Sequence, residues 1–187
     1  MGRLELGRQA RAVRREDLAV DTRGAELLRE QGAYVDLVDS ATPAAEAVQP
    51  VYGAVVIAGS LHEHLHQRSL VHFVKENVAW LNAVPTAVVS AGLAAAIPDP
   101  ESQAQARNNL QYFLDATGLK PTMTKTVGGA LLYTKYDWFK RTMMRLIAKQ
   151  MGKDVDDTRD HEYTDWDDLR SFIDAFARQA RIADGGG

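Results

Sequence analysis

The stretch Ala54-Val55-Val56-Ile57-Ala58-Gly59-Ser60 is an unbroken apolar run that ends on two small residues. A run without polar alternation predicts a strand covered on both faces, as in a parallel sheet. Two more runs of this kind flank it, Tyr34–Val38 upstream and Thr86–Ser90 downstream. A fourth, Thr126–Tyr133, is weakened by Gly128 and Gly129. Helical spacing fills the intervals. Glu26–Gln31 stops at Gly32, and Ser69–Leu81 sets Leu70, Phe73, Val74, Asn77 and Leu81 near one face. Ser102–Thr117 stops at Gly118. Asp165 is placed to cap Trp166–Arg181, which carries Leu169, Phe172, Ile173 and Phe176 at helical spacing. Strand and helix alternate, so the expected class is α/β, a parallel sheet with helices on both faces.

At 187 residues the expectation is one domain over 1–187, with 1–24 atypical and 183–187 frayed. A hydrophobic share of 45% is ordinary for a folded chain that buries a core. The absence of cysteine excludes disulfides, thiolate metal ligands, iron–sulfur clusters and cysteine nucleophiles. The longest apolar runs are too short or too interrupted to span a bilayer, and no apolar core follows the N-terminal arginines as in a secretory signal. The net charge of −3 is unevenly spread, no nucleic-acid partner is expected, and nothing sets the oligomeric state.

Residues 1–24 break the α/β pattern. They offer only Arg3–Leu6 or Asp17–Val20 as a first strand, both short and flanked by charge, and six of the 24 are arginine. The residues do not choose between the two, and the first strand is expected to be degraded or missing.

Ligands of an open parallel sheet sit beyond the carboxyl ends of its strands. Two such ends carry small residues: Gly59-Ser60-Leu61-His62 after one strand and Ser90-Ala91-Gly92-Leu93 after the next. Small residues let backbone amides approach a planar ring or a phosphate, and they also make tight strand-to-helix turns. His62, His64 and His66 alternate, so an extended segment would point all three one way. Only Glu63 accompanies them, and no metal site is expected. Ser60 and Ser90 lack a nucleophile-elbow context, and neither G-x-x-x-x-G-K nor G-x-G-x-x-G occurs.

Asp137–Lys153 reads as a basic amphipathic helix. Phe139, Met143, Met144, Leu146, Ile147 and Met151 share a broad arc, Arg141, Arg145 and Lys149 recur on the other, and Trp138 lies at the edge. Lys125 to Lys153 holds seven basic residues against one acid, Asp137. Two readings stand side by side: Trp138, Phe139, Arg141, Arg145 and Lys149 face an anionic membrane surface, or the apolar arc packs on the chain's own domain.

The blocks Gly129-Ala130-Leu131-Leu132-Tyr133, Tyr136-Asp137-Trp138-Phe139, Met144-Arg145-Leu146-Ile147, Asp157-Thr158-Arg159 and Tyr163-Thr164-Asp165-Trp166 stand in an order and spacing of their own. They resemble the C-terminal half of the flavodoxin-like, quinone-dependent protoporphyrinogen IX dehydrogenases. Phe73-Val74-Lys75, Leu81-Asn82 and Pro85 extend the likeness, which covers roughly residues 25–180. The resemblance implies a five-stranded sheet with noncovalent FMN at the strand carboxyl ends. It implies oxidation of protoporphyrinogen IX to protoporphyrin IX in haem biosynthesis. Electrons would pass to menaquinone or ubiquinone, with the protein held peripherally on the cytoplasmic face of the cell membrane. The flavin-binding residues it suggests are Ser60, Leu61, His62, Ser90, Ala91, Gly92, Leu93 and Gly129. No catalytic side chain is singled out, because the flavin would carry the redox chemistry.

Such relatives open with an apolar strand and a Ser/Thr-rich loop containing Gly-Gln-Thr around the FMN phosphate. Gly7-Arg8-Gln9-Ala10 keeps Gly and Gln in altered spacing without a hydroxyl, and Thr22-Arg23-Gly24 keeps one hydroxyl. Residues 1–20 are therefore expected not to form the first strand and phosphate loop in working order. His62 and Glu63 also stand where relatives typically carry Arg and Tyr. Two other functions remain open: a flavin-free flavodoxin-like binding module, and a flavin-dependent quinone reductase with another electron donor.

Overall fold

The computed structural model describes residues 9–14, 19–62, 65–128 and 165–180. Among these, five parallel strands form one sheet. They are β1 (Gln9–Arg14), β2 (Tyr34–Asp39), β3 (Ala54–His62), β5 (Thr86–Ala91) and β6 (Met123–Val127), in the order β2-β1-β3-β5-β6. A two-residue strand, β4 (Leu65–His66), pairs antiparallel with the end of β3. With β4 set aside, this is the flavodoxin-like 2-1-3-4-5 order, whose direction reverses between β1 and β3.

Alternate residues of β3 enter different cores, as the two-residue period of a strand requires. Ala54, Val56 and Ala58 pack with Val20, Ala25, Leu27 and Leu28 of α1 (Ala19–Glu30) and with Leu169, Ile173 and Phe176 of α6 (Trp166–Gln179). Val55 and Ile57 pack with Leu70, Phe73, Val74 and Leu81 of α3 (Arg68–Leu81) and with Leu110 and Phe113 of α5 (Pro100–Thr117). Helices thus cover both faces. The short α2 (Pro43–Glu46) and α4 (Leu93–Ala96) follow β2 and β5.

Chain signals set the helix ends. Gly32 N–H donates to Arg29 O and Ala33 N–H to Leu28 O, the paired bonds that close a helix C-terminus. Asp165 caps α6 by accepting Asp168 N–H at 2.9 Å, as its position predicts. The α5 helix starts earlier than its apolar spacing suggests, because Asp99 caps it by accepting Ser102 N–H and Pro100 suits a first-turn position. The fourth strand also differs. It lies at Met123–Val127 instead of beginning at Thr126, drawn upstream by its ladder with β5 from Met123 opposite Ala87.

The first strand requires a correction. It is not missing; of the two candidates, Arg3–Leu6 and the Asp17-Leu18 part of Asp17–Val20 lie outside the described residues. The strand is Gln9–Arg14, between β2 and β3, with Ala10 opposite Val35 on one side and Ala54 on the other. Its composition is degraded, but its place is filled. Ladder bonds use backbone groups that every non-proline residue carries, so two neighbouring strands can recruit a segment with a poor apolar pattern. Ala19 and Val20, read as part of a possible strand, begin α1 instead.

Candidate functional site

The carboxyl ends of β3 and β5 lie side by side. Their parallel ladder pairs Gly59 with Ser90 and Ser60 with Ala91, so the two small-residue stretches share one edge of the sheet. They also touch. A Cβ on Gly92 would come within 2.8 Å of Leu61 Cδ1, so Leu61 packs directly on the Gly92 backbone. Gly92 N–H donates to Val127 O at 3.0 Å, which joins the end of β6 to the same edge. The side chains of His62 and Leu93 are not among those described. Gly129 and the membrane-facing candidates Trp138, Phe139, Arg141, Arg145 and Lys149 lie outside the described residues.

The segment after β3 is not a simple loop. The strand continues to His62, and Leu65–His66 returns antiparallel, pairing Leu61 with His66 and His62 with Leu65. His62 and His66 therefore do not share one extended segment, and His64 lies outside the described residues. His66 is buried and its ring packs on Phe113 of α5, with centroids 4.5 Å apart. Burial in this apolar setting pushes its pKa down from 6.5 to about 4. Among the described residues, no group of three or more His, Cys, Asp or Glu is placed to hold a metal ion.

Gly59 lies at the centre of this arrangement. A Cβ there would stand 2.4 Å from Leu70 Cδ2 and 3.0 Å from His66 Cδ2, so only glycine lets the hairpin and α3 close on the strand. Ser90 is opposite Gly59. Ser90 Oγ and His66 Nε2 are both buried without a hydrogen-bond partner among the described residues. The Ser60 hydroxyl, by contrast, accepts the side-chain amide of Gln67 across the hairpin. Sequence reading missed Gln67 and the inward turn of His66, because both depend on the hairpin folding back. The available signal was the exchange of apolar and polar residues in Leu61–Leu65–His66, which is too short to read as a strand.

β1 runs parallel beside β3, at the reversal of strand order, so its carboxyl end faces the same edge. In folds of this order a phosphate is held there by glycines, hydroxyls and free helix N–H groups. The linking residues Arg15-Glu16-Asp17-Leu18 supply no glycine and no hydroxyl, and include two acids. In the first turn of α1 the carboxyl of Asp21 is buried and accepts Thr22 N–H at 2.5 Å and Thr22 Oγ1 at 3.2 Å. Thr22 is the hydroxyl that the sequence retains in this region, and it is turned to the chain's own acid. The linking residues 15–18 themselves lie outside the described residues.

Lys125, read as a flank of the basic stretch, faces α6 instead. Its ammonium is 2.5 Å from Asp168 and 5.8 Å from the centre of the Phe172 ring.

Strand order, two-sided helical cover and ligand edge define a doubly wound domain of flavodoxin type. The chain belongs to the flavodoxin-domain family Flavodoxin_5, which matches residues 21–159. It is 31% identical over 121 residues to the protoporphyrinogen IX dehydrogenase [quinone] of Escherichia coli strain K12, covering 65% of this chain and 66% of the relative. The chain thus spans just under two thirds of that curated relative. A protein of the same name from Leishmania major is 28% identical over 158 residues, covering 84% of this chain and 68% of that one. Among solved structures, a short-chain flavodoxin associated with a non-canonical PDU bacterial microcompartment superposes with a TM-score of 0.53 at 13% identity, covering 92% of this chain and 97% of its own. Flavodoxin 1 from Bacillus cereus gives 0.51 at 10% identity, covering 91% and 96%. At such identities these two report the fold alone.

Proposed function

We propose that this chain is a flavin-dependent oxidoreductase that oxidises protoporphyrinogen IX to protoporphyrin IX and delivers the electrons to a membrane quinone, in haem biosynthesis. The observation that carries the flavin reading is the meeting of Ser60-Leu61 with Ala91-Gly92 at one edge of the sheet. Both stretches stand at the carboxyl ends of adjacent strands, where an open parallel sheet takes its ligands. The substrate and acceptor come from the names of the E. coli and L. major relatives. In this reading Ser60, Leu61, His62, Ser90, Ala91, Gly92, Leu93 and Gly129 surround the ring. The flavin would supply the electron transfer, and the protein its position and the exclusion of water. FMN is the form the family resemblance suggests.

The quinone is a lipid, so the reading includes a peripheral position on the cytoplasmic face of the membrane. Trp138, Phe139, Arg141, Arg145 and Lys149 would meet anionic headgroups there. No helix among the described residues is long and apolar enough to cross a membrane.

The test is the absorbance spectrum of the purified protein before and after incubation with flavin. Anaerobic turnover of protoporphyrinogen IX with a soluble quinone analogue, followed by porphyrin fluorescence, comes next. A flavin spectrum and quinone-dependent porphyrin formation support the reading. Flavin uptake without porphyrin formation assigns a quinone reductase with another donor. Protein that takes up no flavin refutes the oxidoreductase reading and leaves the flavin-free binding module.

A further inference from the structure

We propose that Gln103 is a positioning residue for the flavin: it holds the turn after β5, and with it the Ala91–Leu93 side of the site, in the form that receives the ring. The inference rests on the flavin reading above. The helix α4 (Leu93–Ala96) follows Gly92 directly and is a single turn. A helical turn of this length gains nothing from propagation and is marginal in water. Its bonds here are Ala95 N–H to Gly92 O at 3.1 Å and Ile97 N–H to Ala94 O at 3.3 Å. Pro98 stops it from growing, because proline brings no N–H and disfavours helical backbone in the residue before it. Ile97 is accordingly extended, at φ −95° and ψ 118°. Gly92 is tied to Val127 of β6. The sheet thus fixes the start of the turn, and its end must be held from elsewhere.

Gln103, at the start of α5, holds that end. Its side-chain amide donates to Ala95 O at 3.0 Å and to Ile97 O at 2.9 Å. The two hydrogens of one amide group serve two carbonyls at the close of α4. The base of this clamp is firm. Asp99 caps α5 by accepting Ser102 N–H, and Ala106, Leu110 and Phe113 bury the helix against the domain. Gln103 therefore carries the position of a packed helix to the ligand edge. It stands outside both strand-end stretches and acts on the ring through the turn.

Two hydrogen bonds of ordinary net strength shift the closed-to-open ratio of the turn about thirtyfold. A marginal turn without them is mostly open, and apparent affinity falls with the closed fraction. The experiment uses the full chain, Gln103→Met, which keeps a stem but no donor, and Gln103→Lys, which restores N–H donors. Amide hydrogen exchange without flavin follows the turn, and fluorescence quenching gives FMN affinity. In Gln103→Met the Ala95 and Ile97 amides should exchange about fivefold faster or more, and FMN should bind about fourfold more weakly or worse. Gln103→Lys should stay within about twofold of the wild type in both measurements. Unchanged exchange in Gln103→Met overturns the clamp. Faster exchange with unchanged FMN affinity overturns its part in flavin binding. Equal losses in both variants overturn the assignment to the two donated bonds. A wild type that takes up no FMN overturns the flavin reading, and this inference with it.

Discussion

Acidification should destabilise this protein through one residue, His66. Its ring lies on β4 against Phe113, and its Nε2 has no hydrogen-bond partner among the described residues. Burial holds its pKa at about 4 against an ordinary 6.5. The folded state therefore resists a proton that the unfolded chain accepts. Above the unfolded value both states are neutral, and the full stability is present. As pH falls from 6.5 towards 4 only the unfolded state gains the proton, so stability drops across that window and levels off below it. Between about pH 7.5 and about pH 4.5 the linkage integral gives a loss of about 2.5 kcal/mol from this residue alone. Urea unfolding followed by tryptophan fluorescence at the two pH values, for the wild type and for His66→Leu, isolates it. Every other titrating group is shared, so the wild type should lose about 2.5 kcal/mol more than the variant on acidification. A pH dependence equal in both proteins to within about 0.5 kcal/mol would refute the placement of a neutral, buried His66.

Gly59→Ala should destabilise the fold by about 1–3 kcal/mol, because its Cβ would press on buried Leu70 and on His66; an unchanged urea midpoint would mean that the hairpin packs differently. Ser90→Ala should leave the ligand-free protein as stable or up to about 1 kcal/mol more so, since it removes a buried hydroxyl without a partner among the described residues. A loss beyond about 1 kcal/mol on thermal or urea unfolding would reveal a bond to that hydroxyl. Asp165→Ala should cost about 1 kcal/mol through the loss of the α6 cap, with Asp165→Asn recovering most of it in the same assay.

The class of fold was legible because it rests on local patterns. Ala54–Ala58 and Thr86–Ser90 are apolar on both sides of the pleat, and only a strand between two helical layers needs that. Gly32 and Asp165 mark helix ends through bonds made within a few residues, so they too could be read directly. The sequence also placed the small residues of both strand ends. That Ser60 stands beside Ala91, and that Leu61 rests on Gly92, required the register of the ladder. The tertiary structure alone decided the rest. Gln9–Arg14 becomes an interior strand because its neighbours supply a backbone ladder on both sides, a cause absent from its own side chains. His66 turns inward because β4 folds back on β3 against α5, and Lys125 turns to α6 because residues 43 positions apart meet as Lys125 and Asp168. Local sequence determines which segments can be strands and helices and where they stop. Which partner each then meets is set by packing and pairing between segments far apart in the chain.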